Sequence, residues 1–194
     1  MNTQTHALMG AFFFGKAVPL RAVIGTIGGF LPDLPMISIV FALKATGHSG
    51  QQIFEEMYWQ NWWQITNALG HSFFLWGGLL LAALLLRREP NDFWTLASVF
   101  AAAGFLHCCI DFCVHREDAH MHFWPLSRYK FMSPVSYYDP AHYGRIFSIC
   151  EATLGLVMSL VLMCQFSNLI VRVILIIAAA LYVAVPMLFI FGRG

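Results

Sequence analysis

The chain has 194 residues, 59% hydrophobic and only 11% charged, with a formal net charge of +1 and a mean hydropathy of +0.66. Soluble domains carry about 25% charged and about 45–50% apolar residues, so this composition excludes an ordinary soluble enzyme and points to a membrane protein. The near-zero charge provides no basic field for nucleic acid, and the length suits one integral membrane domain over residues 1–194.

The chain starts Met1-Asn2-Thr3-Gln4-Thr5-His6, with no basic lead before the apolar run. A cleaved signal peptide is therefore not expected. Residues 7–17 read as a short apolar helix broken by Lys16, Pro19 and Arg21. Residues 22–31 form a second, with Gly25, Gly28 and Gly29 allowing close helix approach. It ends at Leu31-Pro32-Asp33-Leu34-Pro35, and residues 36–45 are a third run. A bilayer takes about 20 apolar residues to cross, so runs of this length predict half-spans packed inside protein.

Residues 47–70 are more polar and carry Tyr58, Trp59, Trp62 and Trp63. They read as a helix lying at the membrane interface, where aromatic rings anchor. Residues 71–86, 93–113, 144–165 and 169–191 are the clearer membrane segments. Residues 114–143 form a long polar and aromatic insert with turn signals at Pro125, Ser133-Pro134 and Asp139-Pro140. An insert of that length is expected to be functional, and its aromatic content argues against disorder. The expected fold is an all-α polytopic membrane bundle of about four to six spanning or half-spanning helices.

With helices alternating across the membrane, Lys16, Arg21, Arg87, Arg88 and Arg172 fall at one end. His6, Asp33, His71, His107, Asp111 and His142 fall at the other. The positive-inside rule then puts the histidine end on the outer, periplasmic side.

His107, Asp111 and His115 are spaced i, i+4, i+8 and share one helix face. An unpaired ionised aspartate in an apolar span is costly, and imidazole with carboxylate suits a divalent ion, zinc first, with manganese or iron as alternatives. His6, Asp33 and His71 are ligand candidates at the same end. The ordinary readings are a helix cap for Asp33 and an interfacial ring for His71. Of His120 and His122, one is expected to reach an ion, because alternate residues diverge. Asp118 is a further ligand or base. Asp118 or His142 could relay protons, and Arg116 or Arg128 could clamp a phosphate. Glu151 is a candidate outer partner for a ligand histidine, and His48 reads as a loop residue. The five cysteines form no CxxC pair and read as free, buried thiols. A thiolate ligand at Cys108 or Cys113 is the alternative.

Thr5-His6, Leu31-Pro32-Asp33, Gly70-His71-Ser72 and His107-x3-Asp111 resemble the bacterial membrane-bound metal-dependent hydrolase family over residues up to about 145. That family shows Pro-Asp-x-Asp where Pro35 stands here, and a longer lead-in where Thr66-Asn67-Ala68 stands. The resemblance implies an inner-membrane protein with His6, Asp33, His71, His107 and Asp111 as metal ligands. The order of these residues is also similar to the zinc-dependent phospholipase C and nuclease superfamily, which implies phosphoester hydrolysis at a multi-metal centre. The expected function is thus hydrolysis of a phosphoester, possibly lipid-borne, by metal-activated water, with membrane lipids as partners. The alternatives are an accessory subunit of a larger membrane complex, its histidines binding structural metal, pigment or haem, and a metal transporter.

Overall fold

A computed structural model describes residues 1–89 and 93–191. Among these the regular structure is entirely helical: α1 (Thr3–Gly15), α2 (Pro19–Phe30), α3 (Leu34–Ala45), α4 (Asn61–His71), α5 (Phe73–Leu86), α6 (Phe93–Val114), α7 (Gly144–Gln165) and α8 (Leu169–Phe191). Four stretches are long and apolar enough to cross a membrane: Pro19–Ala45, Asn61–Leu86, Phe93–Val114 and Gly144–Gln165. The 22 residues of α6 rise about 33 Å, enough for a hydrocarbon core of about 30 Å. Leu85, Phe93 and Ile170 are 70% or more exposed, so large apolar side chains point outward as a lipid-facing surface requires.

Two of the expected half-spans are not separate. α2 and α3 run end to end through a 3-10 turn at Leu31–Asp33. Pro32 and Pro35 sit at helix-start positions, where no backbone N–H is needed, so neither ends the rod. α4 and α5 likewise form one stretch with a step at Ser72, whose hydroxyl caps α5 by accepting from the Leu75 N–H. Both steps fall at residues of the histidine end.

The Trp-rich stretch at 47–70 is not a single interfacial helix. A π-helical turn at Gln52–Met57 precedes α4, and Ile53, Tyr58 and Trp63 pack inward against Met36, Ile39, Val40 and Leu43. Trp63 and Ile53 are fully buried, while Trp59 and Trp62 are about half exposed. Burial of these apolar side chains against α3 contributes about 1.5–3 kcal/mol each, more than an interfacial placement of Trp63 would.

α1 and α2 cross backbone to backbone. A Cβ on Gly10 would lie 2.0 Å from the Gly25 carbonyl oxygen, and one on Gly25 would lie 2.2 Å from that of Gly10. No side chain fits there, and this closeness brings the start of α1 beside the end of α2. At the opposite end of the bundle, Lys16, Arg21, Arg87 and Arg88 line one cleft of about 650 Å³, as the alternation of helices predicted.

The insert at 114–143 is ordered almost without regular structure. The Tyr137 N–H donates to Val114 O at 2.9 Å, Ser133 N–H to His115 O at 3.0 Å and Phe73 N–H to His122 O at 2.9 Å. Phe131 stacks on Phe112 with centroids 4.5 Å apart. These bonds fold the insert back over the end of α6.

Candidate metal centre

Four buried side chains from three parts of the chain converge. Asp33 comes from the turn between α2 and α3, His71 from the end of α4, and His107 and Asp111 from α6. His107 Nδ1 lies 2.7 Å from Gly29 O, and His71 Nδ1 lies 3.0 Å from Asn67 O. A carbonyl only accepts, so both Nδ1 atoms carry a proton and both Nε2 atoms are turned inward, where each can bind a metal ion or hold a second proton. Those Nε2 atoms are 3.3 Å apart. A positive centre, proton or metal ion, has to lie between them.

The remaining distances decide its size. His71 Nε2 is 3.4 Å from Asp33 Oδ1 and 3.5 Å from Asp111 Oδ2; His107 Nε2 is 3.6 Å and 3.0 Å from the same atoms. A tetrahedron with metal–ligand bonds of about 2.0–2.1 Å has edges of about 3.3–3.4 Å. The donors therefore fit a four-coordinate divalent ion. Thr3 Oγ1 donates to the other oxygen of Asp33, Oδ2, at 2.5 Å and leaves Oδ1 facing the centre.

Asp111 also belongs to a second buried group, with His115 and His120. Its Oδ2 faces the first group, and its Oδ1 lies 3.4 Å from His115 Nε2. The Met1 amine lies in this second group, donating to Asp111 Oδ1 at 2.8 Å and to His115 Nε2 at 3.1 Å. Asp118 Oδ2 takes the His115 Nδ1 proton at 2.8 Å and so turns Nε2 toward Asp111. Burial, and to a lesser degree the Met1 amine, push the His115 ring down, but the Asp111 and Asp118 carboxylates together hold its pKa above the ordinary value. His120 stacks on His71 with centroids 3.8 Å apart. Burial, reinforced by His71 and His115, holds His120 well below its ordinary pKa and keeps it neutral.

His6 lies outside both ligand groups but against them. Its Nε2 donates to Asp111 Oδ1 at 2.8 Å, its ring stacks on His107 at 3.6 Å, and its buried Nδ1 has no hydrogen-bond partner. His122 is buried beside the groups, with Nδ1 on His120 O and Nε2 without a partner. Of the two, His120 joins a candidate ligand group and His122 does not.

Several expected residues stand elsewhere. Asp33 makes no capping bond, because its carboxylate is taken by Thr3 and turned to the histidines. Asp118 serves as the partner of His115 and is in neither ligand group. His142 pairs with Asp139 at 2.5 Å and groups with Glu117 toward the surface, apart from the central groups. Arg116 bonds Glu117 and the Ser133 carbonyl, and Arg128 is exposed on Asn61. Neither guanidinium is on the centre, because the insert takes up Arg116 and the Asn61 side chain of α4 takes up Arg128. Glu151 touches no ligand histidine; it accepts from Asn2 N, Asn2 Nδ2 and Thr5 Oγ1 at 2.6–2.9 Å and thereby fixes the start of α1 on either side of Thr3. Of the five free cysteines only Cys108 is fully buried, and Cys113, Cys150 and Cys164 are exposed. The Cys108 thiol turns to the Gly70 carbonyl at 3.9 Å, not to the ligands. His48 is a loop residue bonded to Thr46 and Leu43 O. Sequence reasoning missed Thr3, Gly29 and Asn67; the polar Thr3 two residues before Thr5-His6 was the one visible hint.

Two expected results follow from these contacts. Asp118→Asn should weaken metal binding at the second group by about 10–100-fold, the usual effect of losing an outer partner of a ligand histidine. Titration of the purified protein with zinc, with the first group saturated, reads that change. The second concerns acid. His122 is pushed by burial down to about 3 from an ordinary 6.5, and His120 is lowered with it. A lowered folded pKa on a base favours the neutral folded form, so this stability is full above about 6.5 and drains as the pH falls toward 3. His115, held above its ordinary value, works in the opposite sense but is one ring against two. The hydrogen-exchange protection factors at Tyr137 and Ser133, each referred to the intrinsic exchange rate at its own pH, should therefore fall between pH 7.5 and 4.5; unchanged protection factors would contradict it.

No family model matches the chain, and neither a curated protein nor a solved structure matches it.

Proposed function

We propose that the chain is a membrane-embedded, metal-dependent hydrolase acting on a phosphoester, with zinc as the preferred ion. The observation that carries this reading is the sharing of Asp111 between two buried ligand groups. The first group has four protein donors, the pattern of a closed, anchoring site. The second has three, the donor count of a catalytic site, and the Met1 amine bonds to two of them where a water or substrate would have to enter. Ions bound there supply a water of lowered pKa, toward about 7, and charge for the oxygens of the reacting phosphate.

The chain's own groups do the rest. Asp111 holds the two groups at a fixed separation. Gly29 O, Asn67 O and Asp118 fix three imidazoles with Nε2 inward. His6 donates to Asp111 Oδ1 through Nε2 and so steadies the shared carboxylate. The basic turns that gather at the opposite end support a cytoplasmic placement of that end and an outward-facing centre, in a bacterial inner membrane as the resemblance implies.

The test is metal analysis of detergent-purified protein beside His107→Ala, followed by hydrolysis of bis(p-nitrophenyl) phosphate with zinc, manganese or iron restored. Stoichiometric metal and hydrolysis, both lost in the variant, are expected. Metal without hydrolysis of any phosphoester would favour an accessory subunit with a structural ion. Metal accumulation in proteoliposomes would favour transport. No metal in either protein would sink the reading.

A further inference from the structure

Between α1–α2 on one side and α7–α8 on the other lies a groove of about 890 Å³. Ligand sites run to about 300–1,000 Å³, so one molecule fits it. Its walls are apolar and partly small: Ala7, Ala11, Val23, Ile27, Ile174 and Ala178. Two of the helices that border it, α2 and α7, belong to the membrane-crossing stretches, so whatever fills it comes from the hydrocarbon phase.

The polar lining gathers at the start of α1, where Asn2, Thr3, Gln4 and Glu151 stand. Asn2 and Glu151 satisfy one another, so that end is built rather than incidental. Thr3 both lines the groove and donates to Asp33 Oδ2 at 2.5 Å. One hydrogen bond therefore separates the groove's polar end from a ligand of the metal centre. From there the groove reaches Pro19 and Phe166 at the far turns, about the 18 Å length of the 12-residue α2. Half of a hydrocarbon core is about 15 Å, the depth of one lipid chain.

We propose that this groove seats the hydrocarbon chain of a membrane lipid whose phosphorylated head reaches the centre past Thr3. The substrate is then a lipid phosphoester, and the bond cut is the P–O bond at the head, with water adding to phosphorus and the freed alcohol taking a proton. This part rests on the hydrolase reading; the seating of the chain does not. A soluble substrate would need no slot of this length, and a partner helix would leave the polar end beside Asp33 without a purpose.

The experiment uses phosphatidic acid carrying a diazirine near the end of one acyl chain, photolysed with the detergent-purified full chain and mapped by mass spectrometry. Labels are expected on α2 and α8. Ala178→Trp should fill the groove and cut that labelling at least tenfold. Leu85→Trp, on the outer face of α5, should not. Val23→Trp, across the groove, is the second blocking variant should the first fail to fold. Where hydrolysis is measurable, Ala178→Trp should raise KM for the lipid at least tenfold, and Leu85→Trp should leave it unchanged. Groove labelling with no hydrolysis of the lipid or of bis(p-nitrophenyl) phosphate would refute the hydrolase reading and uphold the lipid slot. Labelling spread evenly over α2, α5 and α8, labelling untouched by both blocking variants, or a dimer that buries the groove and excludes lipid would each overturn the proposal.

Discussion

Asp111→Ala is expected to empty both ligand groups at once. One oxygen of this carboxylate faces Asp33, His71 and His107, and the other faces His6, His115 and the Met1 amine. Loss of an outer partner weakens metal binding by about 10–100-fold, and loss of a shared ligand should exceed that. Removing one member of a buried charge pair also strands the other, at about 3–5 kcal/mol; the Met1 amine is 3% exposed and Asp111 1%. The variant should therefore show no stoichiometric metal by mass spectrometry and a lower unfolding temperature. Asp111→Asn keeps the shape and should recover stability more than metal. His142→Ala, on the separate surface group with Glu117 and Asp139, should keep the metal held by the two buried groups. Equal metal in Asp111→Ala and the parent protein would refute the shared-ligand arrangement.

Gly29→Ala is the second large effect, and it involves no ligand side chain. A Cβ on Gly29 would lie 2.3 Å from the His6 carbonyl oxygen. The contact is backbone against backbone, so α1 has to move. Overpacking of this kind costs about 1–3 kcal/mol. The same residue's carbonyl accepts the His107 Nδ1 proton and sets that ring's Nε2 toward the centre. A shift of α1 and α2 thus displaces His6 and loosens His107 together. Metal affinity should fall by about 10–100-fold, and the thermal midpoint should drop in the same variant. Gly78→Ala, where nothing lies within 4 Å of the added carbon, is the control and should change neither. Wild-type affinity in Gly29→Ala would show that the α1–α2 contact does not tune the centre.

Local chemistry made much of this legible from the chain alone. The apolar runs announced α6, α7 and α8, because an unbroken stretch of about 20 apolar residues has few places to go but a bilayer. The i, i+4 spacing placed His107 and Asp111 on one side of α6, a matter of helix geometry, and His115 follows one residue past its end with its N–H still on Asp111 O. The cost of buried charge singled out Asp33 and Asp111, and the alternation of helices put them at the same end as His6 and His71.

What the chain alone left open were contacts between residues distant in sequence. The prolines at 32 and 35 read as helix ends, yet they sit where a missing N–H costs nothing, and α2 continues into α3. The Trp-rich stretch read as interfacial until α3 supplied an apolar face for Trp63. Arg116 and Arg128 matched a phosphate clamp by charge, but Arg116 donates to the Ser133 carbonyl of the insert and Arg128 to the Asn61 side chain of α4. The composition, the helices and the candidate ligand residues thus come from the sequence itself, through hydropathy, periodicity and the cost of burying charge, though His6 and His122 stand outside both groups. The division of labour among the histidines follows only from tertiary structure. Which nitrogen holds the proton is set by Gly29 O, Asn67 O and Asp118, and whether Asp111 serves one group or two depends on how closely backbones approach at glycines whose neighbours no local pattern reveals.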